Sequence, residues 1–364
     1  MELERRNIRS SSFEIMRIIA MFMIVTGHCL MSTALYDTEP LSVYDNVAWL
    51  ISAFGICAVN LFFLLTGYFL CDRNNKMSKI ITLWGKTVFV SISIYLVACT
   101  IGIAEFNKKD FIQFLFPVLF KKYWFIQTYI VLALLLPFIS KLIKALTNRQ
   151  HFTMVIILII FFSIHQTFIP VGYTLDTTQG YGIVWGMILV ITGSLIKRNA
   201  NRIKEKIPVG MCLGGYIFSA LGIFITNWLI VKFDIAQGVT SRANFYAYNS
   251  ISVFGEALLL FLFFVKMENR WKSNVIIDQL GKASVAVYII SAHPVLLTFL
   301  WTDILRLVGV IERSIFLYLG IMFISDVVIF IICVIIDKVI GKVSSLLRMD
   351  QMALKIDRLR LWDI

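Results

Sequence analysis

Long apolar runs, each about the length that crosses a bilayer as a helix, alternate with short polar segments along the chain. In lipid, a single segment satisfies all its backbone hydrogen bonds only as a helix. The pattern therefore predicts an all-α integral membrane protein with about ten transmembrane helices. The predicted spans are 14–35, 48–70, 80–103, 123–143, 153–170, 180–196, 209–231, 248–266, 283–301 and 315–337.

Lysine and arginine are distributed unevenly between the two sets of loops. With the N-terminus inside, the cytoplasmic segments carry about three times as many of them as the outer loops, which predicts that both termini are cytoplasmic. Loop 104–122 departs from this rule with four lysines, and its apolar middle predicts a helix lying in the interface. Residues 1–342 are predicted to form one polytopic domain, followed by a cytoplasmic amphipathic tail at 343–364.

Composition narrows the class of protein. The chain is 59% hydrophobic and 15% charged, whereas soluble domains are about one quarter charged. The net charge of +12 belongs to the cytoplasmic loops, so we predict a bilayer surface as its partner and no nucleic acid. The cysteines are scattered without metal-ligand spacing, so we predict no metal site.

The first span, EIMRIIAMFMIVTGHCL, carries two residues that a lipid-facing helix does not need. Arg17 and His28 are eleven positions apart, which places them on one helix face roughly 16 Å apart along the axis. Two interpretations stay open at this point. The pair is either an anion-binding and catalytic unit, or a snorkelling arginine with a histidine that packs between helices.

Further polar side chains lie within the later spans, where they are costly and usually face a cavity or a partner. Each of them also admits a packing role, as a helix-to-helix hydrogen bond, an ion pair or a kink. The candidates are Asn60, Thr66, Asn249, Glu256 and His293.

In this order, the segments resemble the membrane acyltransferase family 3, which O-acylates bacterial polysaccharides and lipid-linked glycans. The resemblance covers about residues 10–340. It is carried by Arg17 through His28, FFLLTGYFL at 62–70, KYWFIQTYIVLALLLPFI at 122–139, YNSISVFGEALLLFLFF at 248–264 and LGKASVAVYIISAHP at 280–294. One segment departs from the family: KMSKIITLWGK stands where many members carry an Arg-Arg pair.

The resemblance implies a multi-pass enzyme of the bacterial plasma membrane. Its donor is expected to be acyl-CoA, most often acetyl-CoA, and its acceptor a hydroxyl of a glycan or lipid-linked saccharide. His28 is expected to act as general base or as an acyl-carrying nucleophile, and these two mechanisms stay open. The catalytic candidates are His28, Glu256 and His293, and the candidates for binding substrate or donor are Arg17, Asn60, Thr66, Trp124, Tyr248 and Asn249.

Two other classes of protein compete with the enzyme. A transporter or flippase for a lipid-linked sugar would use buried polar groups to line a pathway, but no inverted repeat is visible. A membrane scaffold without chemistry would tolerate the loss of both Arg17 and His28. Turnover of acetyl-CoA in detergent, without a gradient, would exclude pure transport.

Overall fold

The computed structural model describes residues 11–33, 39–70, 76–169, 173–176, 178–235, 242–268, 270–272, 274–304 and 314–346, and all regular elements among them are helices. Two π-helical segments, Ile160–Ile164 and Phe299–Ile304, continue α7 and α15. The α-helices are α1 (Ser11–Thr33), α2 (Val43–Gly55), α3 (Ala58–Leu70), α4 (Met77–Thr100), α5 (Lys108–Leu115), α6 (Trp124–Ala145), α7 (Asn148–Ile159), α8 (His165–Phe168), α9 (Ile183–Arg198), α10 (Ala200–Lys206), α11 (Val209–Lys232), α12 (Arg242–Tyr246), α13 (Ile251–Met267), α14 (Val275–Ser291), α15 (Pro294–Thr298) and α16 (Ile315–Leu346).

Among the described residues, eight continuous helical stretches are long and apolar enough to cross a bilayer. Two bent pairs bring the number to ten if each is one span: α9 with α10, bent by 70°, and α14 with the helix that starts at Pro294, bent by 82°. The prediction of an all-helical membrane protein with about ten spans is therefore confirmed. The cytoplasmic placement of both termini stays a prediction, and most of the predicted tail, residues 347–364, lies outside the described residues.

The sharp bend after α14 follows from its sequence. Pro294 has no backbone N–H and cannot continue the helix, so α14 ends at Ser291 and α15 begins at the proline. The preceding His293 caps the new helix, since its Nδ1 accepts a hydrogen bond from the Val295 N–H at 3.2 Å. A histidine and a proline thus redirect the chain within the apolar run.

Helices α3 and α9 approach each other so closely that only glycine fits at the crossing. A Cβ atom on Gly67 would overlap the carbonyl of Val190, and one on Gly193 would overlap the carbonyl of Leu64. Small residues permit such backbone approach between membrane helices, where dispersion contacts stabilise the packing. The crossing holds together the two helices that carry Asn60 and Trp185.

Two carboxylates of the last span have polar partners on other helices. Lys86 on α4 forms an ion pair with Asp337 on α16, and the Thr26 hydroxyl on α1 donates to Asp326 Oδ2 at 2.6 Å. Because charges in lipid are costly unless paired, these contacts account for the two carboxylates without a catalytic role. They fix α16 against α1 and α4.

The lysine-rich loop between α4 and α6 contains the short helix α5. Phe114 of this helix stacks between the rings of Tyr95 and His293, each 4.8 Å away, and the Lys122 ammonium lies 4.7 Å from the Phe114 ring centroid. The loop also presents exposed apolar side chains, among them Leu119. One side of the loop is therefore anchored to the bundle, while its contact with a bilayer surface stays a prediction.

Candidate active site

His28 lies near the C-terminal end of α1, five residues before the helix ends at Thr33. Its Nδ1 is buried and has no hydrogen-bond partner among the described residues. The ring centroid lies 6.5 Å from that of Tyr288 on α14. A ring nitrogen without a fixed partner can accept a proton or a hydrogen bond from a substrate, unlike one that is already bonded to backbone groups.

Arg17 stands on the same face of α1, three turns below His28, and is held by a neighbouring carboxylate. It forms an ion pair with Glu14, whose side chain is buried. The Glu14 carboxylate packs against Gly281 of α14, where a Cβ atom would collide with it. Arg17 also lies close enough to Tyr129 of α6 for a direct electrostatic interaction.

Thr66 belongs to the surroundings of Arg17. Its hydroxyl donates to the Phe62 carbonyl at 2.8 Å, one turn earlier on α3, and lies near the Tyr129 side chain. The Phe125 ring contacts Tyr129 at 6.2 Å on one side and Tyr288 at 5.6 Å on the other. One face of α6 therefore extends from the surroundings of Arg17 to Tyr288, the tyrosine beside His28.

Asn60, in the first turn of α3, is hydrogen-bonded to two other segments. Its Nδ2 donates to the Tyr248 carbonyl at 2.7 Å, and its Oδ1 accepts from the indole N–H of Trp185 at 3.1 Å. The side chain is fully buried. Asn60 thus links α3 to α9 and to the segment before α13, and its role in binding a substrate stays a prediction.

Three aromatic side chains from different segments, Trp124, Tyr181 and Tyr248, form what we call the aromatic cluster. Trp124 and Tyr248 are stacked, with centroids 5.6 Å apart and planes 26° apart. Tyr181 packs edge-on against both, at 4.6 Å from Trp124 and 4.9 Å from Tyr248. Phe125 contacts Trp124 of the cluster at 6.0 Å and Tyr288 at 5.6 Å, so ring contacts continue from the cluster to the tyrosine beside His28.

His293 is fully buried, and both of its ring nitrogens are occupied. Besides the bond that caps α15, its Nε2 lies 3.2 Å from the Ser91 carbonyl and can only donate to it. The two bonds fix one neutral tautomer, because Nδ1 must be the acceptor. Proton transfer by His293 would require one of these bonds to open, so the structure favours a supporting role for this residue.

Glu256 and Asn249 are fully buried, and neither contacts His28 in a hydrogen bond. The polar neighbours of Glu256 are the thiol of Cys57 and the hydroxyl of Tyr216, and its two oxygens accept no well-formed hydrogen bond within the described part of the chain. The Asn249 amide is likewise unpaired there at both its nitrogen and its oxygen. Glu256 thus lies with a cysteine and a tyrosine, and no histidine contact supports the idea that it fixes a catalytic tautomer.

Sequence reasoning missed several residues of this site. Glu14 was visible as an acidic residue three positions before Arg17, the spacing of an ion pair on one helix face. Tyr129 follows Phe125 by one turn of α6, which also signals a shared face. Tyr181 and Tyr288 gave no such signal, because only helix packing brings them beside Tyr248 and His28.

A protein-family model described as an acyltransferase domain matches residues 10–338 of the chain. The matched region begins before α1, ends within α16 and contains every residue of the site described above. No curated protein and no solved structure gives a significant match.

Proposed function

Because the chain belongs to acyltransferase family 3, we propose that it is an O-acyltransferase that moves an acyl group, in the simplest case acetyl, from acyl-CoA to a saccharide hydroxyl. The acceptor is a cell-surface polysaccharide or a lipid-linked glycan, and the enzyme lies in the bacterial plasma membrane. The observation that carries this proposal is the unpaired Nδ1 of His28 above Arg17 on one face of α1.

Arg17 is the proposed anchor for the donor. Its guanidinium matches the geometry of phosphate oxygens, and Glu14 with Gly281 holds it in one orientation. The roughly 16 Å between Arg17 and His28 along the helix suits a long donor with phosphate at one end and a thioester at the other. On the predicted topology, acyl-CoA enters from the cytoplasm and the acyl group reaches His28 in the outer half of the span.

His28 is the proposed catalytic residue. The acceptor oxygen attacks the thioester carbonyl, the imidazole takes the hydroxyl proton, and the C–S bond breaks to release the CoA thiolate, which is then protonated. In the second possible course, the imidazole attacks first and carries the acyl group to the acceptor. In both, a nitrogen free of fixed partners is required, which distinguishes His28 from His293.

The test is acyl transfer by His28→Ala in membranes from cells that make the native glycan. We expect normal insertion and accumulation with loss of labelled acetyl transfer from acetyl-CoA to the glycan fraction. His165→Ala, at a histidine in another span, is the matched control and should remain active. A fully active His28→Ala protein would refute the proposed mechanism.

A second measurement separates the enzyme from a transporter. Purified protein in detergent has no gradient to use, so consumption of acetyl-CoA under those conditions excludes pure transport of a lipid-linked sugar. If acetyl-CoA is not consumed in detergent or in native membranes, acyl transfer from this donor is refuted. Mass spectrometry of the glycan with and without the gene would then identify the acyl group and the modified sugar together.

A further inference from the structure

We infer that the aromatic cluster of Trp124, Tyr181 and Tyr248 is the acceptor subsite, where a pyranose ring stacks on aromatic faces and directs a hydroxyl toward His28. This inference rests on the proposed acyl transfer and names the part of the site that takes the saccharide. Sugars bind through the apolar C–H face of the ring and through hydroxyls at its edge. A subsite for them therefore needs aromatic faces beside polar groups.

The three rings converge from separate parts of the chain. Trp124 opens α6, Tyr181 lies just before α9, and Tyr248 lies just before α13. Trp and Tyr are also enriched at membrane interfaces, but residues of such belts face lipid individually. Here the rings contact one another across three segments, which is the arrangement of a shared binding surface.

The cluster is reachable from one end of the bundle. Tyr181 is 38% exposed, and Trp124 and Tyr248 are partly buried, so the rings are neither core residues nor isolated surface residues. The starts of α6, α9 and α13 define this end, which the charge distribution predicts to face outside. A glycan acceptor made for the cell surface is expected on that side.

The backbone around the cluster is built to hold it. Gly180 has a φ of +86°, and a Cβ atom there would lie 2.7 Å from both the Tyr248 Cβ and the Asn249 backbone nitrogen. The Tyr248 N–H donates to the Gln179 carbonyl at 3.2 Å, which ties the two segments together. Together with the Asn60 bond to the Tyr248 carbonyl, these contacts fix the position of the Tyr248 ring.

Polar groups and a route to the chemistry complete the subsite. Tyr181 and Tyr248, whose ring centroids are 4.9 Å apart, each bring a hydroxyl to the cluster, and the unpaired amide of Asn249 follows Tyr248 directly. Ring contacts lead from Trp124 through Phe125 to Tyr288, whose ring lies 6.5 Å from the imidazole of His28. A saccharide on the rings would therefore have hydroxyl partners beside it and the proposed base at its far edge.

The experiment compares Trp124→Ala with Trp84→Ala, a tryptophan that is 45% exposed on α4 and lies outside the cluster. Both variants of the full chain are assayed in native-host membranes that contain the glycan, with labelled acetyl-CoA titrated as donor. Loss of a stacked ring removes both its contact and its buried area, so we expect transfer by Trp124→Ala to fall about tenfold or more. The apparent KM for acetyl-CoA should stay unchanged, and Trp84→Ala should behave like the wild type.

The results of these assays either refute or support the inference. Transfer at the wild-type rate by Trp124→Ala refutes it. A raised KM for acetyl-CoA with this variant also refutes it, because the rings would then contact the donor. Recovery of transfer in Trp124→Phe, which keeps an aromatic face, supports it. If His28→Ala abolishes transfer while Trp124→Ala transfers at the wild-type rate, the proposed enzyme is supported and the subsite is refuted. The two proposals can therefore be tested separately.

A glycine pair covers the case in which Trp124→Ala does not accumulate. Gly180→Ala and Gly102→Ala impose the same backbone strain, since both glycines have positive φ, at +86° and +77°. Only Gly180→Ala pushes a methyl group into Tyr248, because nothing lies within 4 Å of a Cβ on Gly102. Loss of transfer in Gly180→Ala alone supports the subsite, whereas equal transfer in both variants contradicts it.

Discussion

Replacement of Gly67 by alanine should loosen the crossing of α3 and α9. The added Cβ would overlap the backbone carbonyl of Val190, at a separation well below the 3.4 Å of ordinary contact. No rotamer change relieves this overlap, because the neighbour is backbone. The helices must move apart by about 1 Å, which removes dispersion contacts along the crossing.

The expected free-energy change is the difference of two opposing effects. Over-packing costs typically about 1–3 kcal/mol, and a backbone contact belongs at the upper end of that range. Alanine in place of glycine returns about 1 kcal/mol of helix propensity. The net loss of stability should be about 1–2 kcal/mol, equivalent to roughly a five- to thirtyfold change in the ratio of folded to unfolded protein.

Thermal unfolding in detergent measures this change against Gly222→Ala. A Cβ on Gly222 of α11 meets nothing within 4 Å, so this variant should keep or raise the unfolding temperature. Gly193→Ala should resemble Gly67→Ala, and the double variant should cost less than the sum, since one separation of the helices makes room for both methyl groups. Unfolding temperatures that do not differ between Gly67→Ala and Gly222→Ala would refute the reasoning.

Two further predictions concern charged pairs. Glu14→Gln keeps the shape of the side chain but removes the charge that orients the neighbouring arginine, so the apparent KM for acetyl-CoA should rise several-fold while kcat changes little. An unchanged KM for the donor would show that the pair does not position it. Lys86→Ala leaves the Asp337 carboxylate without its partner and should lower the unfolding temperature, at a cost of about 1 kcal/mol for this partly exposed pair. The double variant Lys86→Ala/Asp337→Ala should recover part of that loss, and a double variant less stable than Lys86→Ala would contradict the pairing.

Much of the fold follows from the sequence, because the hydrogen bonds of a helix join residues that are close in the sequence. The ten apolar runs correspond to the eight continuous spans and two bent pairs, and Pro294 marks one of the two sharp bends. The spacing of Arg17 and His28 also predicted one helix face. What the sequence did not predict is that α2 and α3 meet at a break, and that the shortest run ends in a 70° bend into α10.

The candidate site was only partly predictable, because it depends on contacts between helices that are far apart in the sequence. His293 and His28 both read as histidines near a span end, and only the packing shows that one has its two nitrogens bound while the other has a buried nitrogen without a partner. The sequence suggested Asn60 as a substrate contact, and only the structure shows that its amide is bonded to the Tyr248 carbonyl and the Trp185 indole. These distinctions depend on which carbonyls and rings lie across a helix interface.

The sequence by itself determined a ten-run, all-helical membrane protein and an arginine and histidine on one face of α1, because lipid requires each run to satisfy its own backbone hydrogen bonds. Only the tertiary structure decided that Trp124, Tyr181 and Tyr248 meet, and that ring contacts through Phe125 and Tyr288 lead from them to His28. Those residues are far apart in the chain, and helix packing through close contacts such as that of Gly67 brings them together.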